Sequence, residues 1–185
     1  MAKKTKVKDV HVKGSNFERA ILKTMTRWTH VQFFRTPLSG NKRYKFDLEN
    51  TRADLVAENA RTPEMPFSFE CKAQEDWDLR QFYSGKNRKI VSFLQQATRD
   101  AELVKKTPLV LLKKNYLLWL ALLPYTDALR QLLEQQQSAV GIFYFTVCQT
   151  EQKFLLTPVK ELVKLPYPQV KQIYKQRNQQ LYFGG

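Results

Sequence analysis

Apolar residues recur along this chain at two different periods, and the periods divide it into elements. Phe17, Ile21, Met25 and Trp28 return every three or four positions, the spacing of a buried helical stripe. The helix is expected to begin at Gly14-Ser15-Asn16, where Ser15 and Glu18 have the spacing of a capping box. Residues 31–35 read as a strand, Thr36–Asn41 as a loop, and 54–57 as a short strand. Arg61–Pro66 holds two prolines and reads as a turn. Phe67-Ser68-Phe69-Glu70-Cys71-Lys72 then alternates with period two, which puts Phe67, Phe69 and Cys71 on one face and Ser68, Glu70 and Lys72 on the other. A helix is expected over 88–105, its stripe carried by Ile90, Leu94, Ala97, Ala101 and Val104.

Leu109–Leu112 and Tyr116–Leu123 read as strands interrupted by Lys113-Lys114-Asn115. Thr126–Gln136 reads as a helix capped by Thr126, and Ile142–Val147 and Lys153–Leu156 as late strands. Helix, strands, helix, strands is the order of a mixed α/β domain. Three parts are expected: a basic flexible arm over 1–13, the domain over 14–156, and a basic extension over 157–185 containing Pro, Gln, Lys and Tyr. No internal repeat is evident.

Composition narrows the function. The chain has 185 residues, 43% hydrophobic and 12% aromatic, enough for a sizeable core and too apolar for disorder. The longest apolar run, near Tyr116–Leu123, falls far short of the roughly 20 residues of a membrane span. No apolar stretch follows the basic N-terminus, which argues against a secretory signal. Two cysteines without a CxxC exclude a zinc ribbon and a disulfide scaffold. They fit a reducing compartment such as the cytoplasm. Two histidines, His11 and His30, cannot build a His-rich metal site or an HNH-type centre.

Lys and Arg number 31 against 17 Asp and Glu, a formal charge of +14, and a polyanion is the expected partner. A membrane surface would ask for a basic amphipathic helix, and no segment reads clearly as one.

Candidate chemistry centres on Asp54 and the triplet Glu70-Cys71-Lys72. Hydrolysis of a phosphodiester calls for a divalent metal, and Mg²⁺ takes hard oxygen ligands. Two carboxylates on neighbouring strands supply them, and the Cys71 backbone carbonyl is placed to complete the shell. Lys72 shares the face of Glu70 and is placed to orient an attacking water. About one Glu-x-Lys triplet is expected by chance in a chain of this size. Glu151-Gln152-Lys153 is the second here, and no strand aspartate precedes it.

Several of these residues have plainer readings. Glu18 serves equally as a capping acid, and Asp47 competes with Asp54. The Cys71 side chain reads as a small core group. Trp77, Phe82 and Tyr83 fit three roles: base stacking, a dimer patch or core. Lys86, Arg88 and Lys89 form a basic run suited to phosphate.

The ordered set Gly14–Arg19, Arg35-Thr36-Pro37-Leu38-Ser39-Gly40, Asp54–Ala57, Phe69–Lys72, Gln96-Ala97 with Ala101, and Thr107–Leu111 resembles the PD-(D/E)XK nuclease superfamily. Within it, the chain is similar to archaeal-type Holliday junction resolvases and related phage resolvase-like endonucleases. The resemblance covers roughly 14–115. The sequence departs from the pattern in having Ala53 before the aspartate and a long, charged stretch from Gly40 to Asp54.

The resemblance implies a restriction-endonuclease-like α/β core, a central mixed β-sheet of about five strands flanked by helices. It implies Mg²⁺ or Mn²⁺ at Asp54 and Glu70 with help from Glu18, and site roles for Ser39, Gln96 and Lys72. Arg35, Lys86, Arg88 and Lys89 are the expected DNA contacts. The implied activity is endonucleolytic cleavage of four-way or other branched DNA by a two-fold homodimer. A sequence-specific or nicking nuclease on the same fold, a catalytically silent DNA-binding scaffold and a basic RNA-associated protein remain open alternatives.

Overall fold

The computed structural model describes residues 3–35, 55–57, 65–83 and 88–184, and among them the side chains of 16–33, 65–80, 82 and 88–184. The first helix, α1, runs over Lys3–Thr29. It therefore starts well before the expected cap. Residues 3–13 are its opening turns rather than an arm, and Ser15 lies inside the helix, not at its end. No proline interrupts this stretch, and Gly14 alone costs a helix only about 1 kcal/mol. The expected stripe holds: Phe17, Ile21 and Met25 are fully buried and Trp28 nearly so. The helix stops at His30, which takes a left-handed backbone (φ 57) while its N–H bonds the Thr26 carbonyl at 2.9 Å.

Among the described residues, seven strands form one sheet in the order β1-β2-β3-β4-β5-β7-β6. They are β1 (Phe33–Arg35), β2 (Leu55–Ala57), β3 (Phe67–Ala73), β4 (Thr107–Lys113), β5 (Leu120–Pro124), β6 (Gly141–Val147) and β7 (Thr150–Pro158). β1 to β5 are contiguous and make the expected core of a mixed sheet, which the β6–β7 hairpin extends. β3 and β4 are parallel, with Glu70 beside Val110 and Lys72 beside Leu112. A parallel pair needs a crossover, and α3 (Arg88–Leu103) provides it after the short α2 (Arg80–Tyr83). Leu109 to Leu112 of β4 are fully buried, which explains their unbroken apolar run in a central strand. β5 begins at Leu120, not at Tyr116; Tyr116–Leu118 belong to the turn before it.

Helices cover both faces. α1, α4 (Asp127–Gln135), α5 (Val159–Leu162) and α6 (Tyr167–Tyr182) share a core with Phe67, Phe69 and Cys71. Thr126 caps α4 as expected, its hydroxyl accepting the Leu129 N–H at 3.2 Å. α3 covers the other face, over Val110, Leu112, Leu122, Phe143 and Phe154.

The stretch after residue 157, expected to be an extension, contributes α5 and α6 to the first core. Tyr174 is fully buried and donates to the Pro124 carbonyl at 2.8 Å. Asn178 donates to the Pro66 carbonyl at 2.9 Å and accepts from the Thr107 hydroxyl at 2.6 Å. Tyr167, Val170, Tyr174 and Asn178 form one helical face in which valine is the one aliphatic residue, a weak signal among the glutamines and lysines around them. Among the described residues, no helix is long and apolar enough to cross a membrane.

Candidate active site

The alternation of β3 carries over to three dimensions. Cys71 is buried against α1 and its neighbours, so its thiol belongs to the core. Glu70 and Lys72 point to the opposite face, beneath α3. Glu70 is only 3% exposed, yet it is a carboxylate, and burial of such a charge demands a partner. Lys72 supplies it through a direct ion pair. Its ammonium also donates to the Gln96 side-chain oxygen at 3.0 Å and lies 5.5 Å from the centre of the Phe93 ring. An ammonium only donates, so the Gln96 amide must turn its oxygen inward.

The helix side of this site has its own logic. Lys89, Phe93 and Gln96 are spaced four and three residues apart and so share one face of α3. Lys89 pairs with Asp76 at 3.0 Å and also approaches the Phe93 ring, at 5.6 Å. Phe93 thus has two cations near its ring. The sequence reading missed Phe93, because its stripe of Ile90, Leu94, Ala97 and Ala101 marks the adjoining face of the helix. Gln96 is at the surface and Glu70 is deep, so the site opens from solvent toward the carboxylate.

The remaining expected residues fall in three groups. Asp54, Ser39, Asp47 and Lys86 lie outside the described residues. Arg35 ends β1 opposite Leu55 of β2, and Leu55 in turn pairs with Phe69 of β3; the Arg35 side chain also lies outside the description. Glu18 is half-buried on α1, and Arg88 is exposed at the start of α3. The described structure therefore gathers Glu70, Lys72 and Gln96. Among the described residues, no three His, Cys, Asp or Glu side chains form a ready metal cage.

Trp77 and Phe82 are not stacking platforms. Trp77 is 1% exposed, and Phe82 packs edge-on against Phe143 and Phe145 at 5.1 and 5.7 Å. The Tyr83 side chain lies outside the description. Just beyond, Asp78 is pushed down to about 2 by hydrogen bonds from the side chain and then the backbone N–H of Arg80.

The turn joining β4 to β5 adjoins this end of the sheet. Its bond from the Leu117 N–H to the Lys114 carbonyl, 3.3 Å, closes a β-turn. Tyr116 takes φ 60 there, a conformation that favours glycine and strains a bulky side chain.

A model of the family described as "Phage putative PDDEXK endonuclease" matches residues 9–172. No curated protein and no solved structure matches the chain.

Proposed function

The chain belongs to the phage PDDEXK endonuclease family, and from that premise we propose a divalent-metal-dependent DNA endonuclease that cuts four-way or other branched DNA. The observation that carries the reading is the Glu70–Lys72 ion pair with Gln96 beneath α3, on the strand and face that the motif requires.

The donor chemistry of this face fits Mg²⁺ or Mn²⁺. It offers a hard carboxylate oxygen from Glu70, while the Cys71 thiol turns to the other face and His30 is exposed beyond α1. Asp54 is proposed as the second ligand. Leu55 pairs with Phe69 in an antiparallel ladder, and Asp54 and Glu70 are the residues next to that pair in sequence. Glu18 and the Cys71 backbone carbonyl are the further proposed ligands. When bound, the ion would neutralise charge on the phosphate and acidify a water.

The chain's own residues do the rest. Among the described residues, Glu70 and Gln96 engage two of the three N–H donors of Lys72, and the third is proposed to orient the attacking water or steady the phosphate oxygens. Ser39 is proposed to stand near the scissile phosphate. The charge of +14 suits a polyanion, with Arg35, Lys86, Arg88 and Lys89 as proposed phosphate contacts. Branched DNA as substrate, and a homodimer that cuts two symmetric strands, rest on the resemblance of 14–115 to the resolvase type.

The test is cleavage of a labelled four-way junction beside linear duplex and single strands, with Mg²⁺, Mn²⁺ or EDTA. Paired symmetric nicks confined to the junction, lost with EDTA and in Glu70→Ala, are expected. Equal cutting of every substrate would remove the branch selectivity. Tight binding without cutting would overturn the enzyme.

A further inference from the structure

Of the three roles open to Trp77 and Phe82, base stacking, a dimer patch or core, the fold assigns core, since both are buried. The exposed aromatic and aliphatic side chains lie elsewhere. In the turn between β4 and β5, Tyr116 is fully exposed, and Leu117 and Leu118 are 38% and 56% exposed. Three large apolar residues in succession on a surface turn are unusual without a partner.

The turn is placed beside the candidate active site. β4 is the parallel neighbour of β3, with Leu112 next to Lys72 and Lys113 next to Ala73, so the turn leaves the sheet just past the level of Lys72. Its base is clamped. The Asn115 N–H bonds the Glu75 carboxylate at 3.1 Å, and the Lys114 ammonium donates to the Trp77 carbonyl. Glu75 and Trp77 belong to the segment that follows β3. The base of the turn is thus tied to the segment that continues the strand bearing Glu70 and Lys72.

Cations border the tip on both sides of the sheet. Lys113 lies by the rings of Phe17 and Trp119, on the α1 face, and Lys114 by Trp77, on the α3 face. An apolar point between two lysines matches a stack of bases between two phosphate backbones. It matches a second copy of a +14 chain poorly, since like charges would meet there.

We propose that Tyr116, Leu117 and Leu118 form a wedge that enters the base stack beside the scissile phosphate and separates bases there. This deepens the nuclease reading and rests on DNA being the substrate. A wedge of this kind selects DNA that unstacks readily, such as a branch point, over continuous duplex.

The test uses a four-way junction carrying 2-aminopurine at the branch, bound by the full chain in EDTA so that no cutting intervenes. The wild type is expected to raise the fluorescence, and Tyr116→Trp to keep the rise. Tyr116→Ser with Leu118→Ser is expected to lose it, with junction affinity falling about tenfold and duplex affinity changing less than about twofold. Equal fluorescence in the wild type and the serine variant would overturn the wedge. So would a serine variant that keeps the fluorescence but passes from dimer to monomer in light scattering, because the turn would then hold a second copy. Cleavage is assayed separately in Mg²⁺. Unstacking without cutting would sink the nuclease reading and keep the wedge; cutting without unstacking would do the reverse.

Discussion

Lys72 reaches across 24 residues of chain to donate a hydrogen bond to the Gln96 side-chain oxygen at 3.0 Å. This contact ties β3 to α3 at the point where the site opens to solvent. Gln96 is exposed, so Gln96→Leu should change stability by less than about 0.5 kcal/mol. The nicking rate should nevertheless fall about tenfold or more, because Lys72 loses an anchor. Thermal denaturation beside a nicking assay checks both numbers. A fall in melting temperature large enough to explain the rate would refute the positioning role.

Glu70 and Lys72 should behave as a coupled pair. Lys72→Met leaves a carboxylate 3% exposed without its ammonium, and a loss of about 3–5 kcal/mol is expected. Adding Glu70→Gln removes the stranded charge, so the double variant should be more stable than Lys72→Met alone. Glu70→Gln alone, Lys72→Met and the double variant should all be inactive. Urea denaturation of the double-mutant cycle measures the coupling, and additive single effects would show that no pair exists.

α6 should prove indispensable to the fold. Ending the chain at Pro166 removes Val170, Tyr174 and Asn178, and uncovers Trp28 and Phe67. The shortened chain should lose its cooperative thermal transition. A truncated protein that melts like the full chain would make the segment a true appendage.

Alkaline pH should weaken the protein through Tyr174. Burial holds its phenol well above the ordinary range, so it keeps its proton when tyrosines of the unfolded chain ionise near pH 10. The unfolded state then binds fewer protons than the folded one, and stability declines as pH rises past about 10. Tyr174→Phe should cost about 1–2 kcal/mol at pH 7, from the lost bond to the Pro124 carbonyl, and should flatten the alkaline decline. Denaturation midpoints between pH 7 and 11 would show the effect, and identical slopes for both proteins would disprove it.

Two aromatic residues should respond in opposite ways. Trp77→Ala should destabilise by about 3–5 kcal/mol, since the ring is fully enclosed with Phe82. Tyr116→Gly should be neutral or stabilising by up to about 1 kcal/mol, because glycine accepts φ 60 without strain. Comparing their chemical denaturation curves distinguishes core from surface directly.

Local periodicity was enough to find much of this protein. Alternation over 67–72 put Glu70 and Lys72 on one face, and the spacing of Phe17, Ile21 and Met25 marked the buried side of α1, because both patterns depend only on the geometry of one element. Thr126 as a cap was legible for the same reason. Other features depend on partners far away in sequence. Trp77 and Phe82 sit in a polar, charged stretch, and they are core because Phe143 and Phe145 arrive from β6 to enclose them. Tyr116 and its leucines look like strand, yet they stay exposed at the surface, and Asn115 is drawn instead to Glu75. Tyr174 and Asn178 look like residues of a basic tail until Pro124, Thr107 and Pro66 offer them buried partners. A side chain's own chemistry sets which face it prefers, and only the assembled chain decides whether that face is covered.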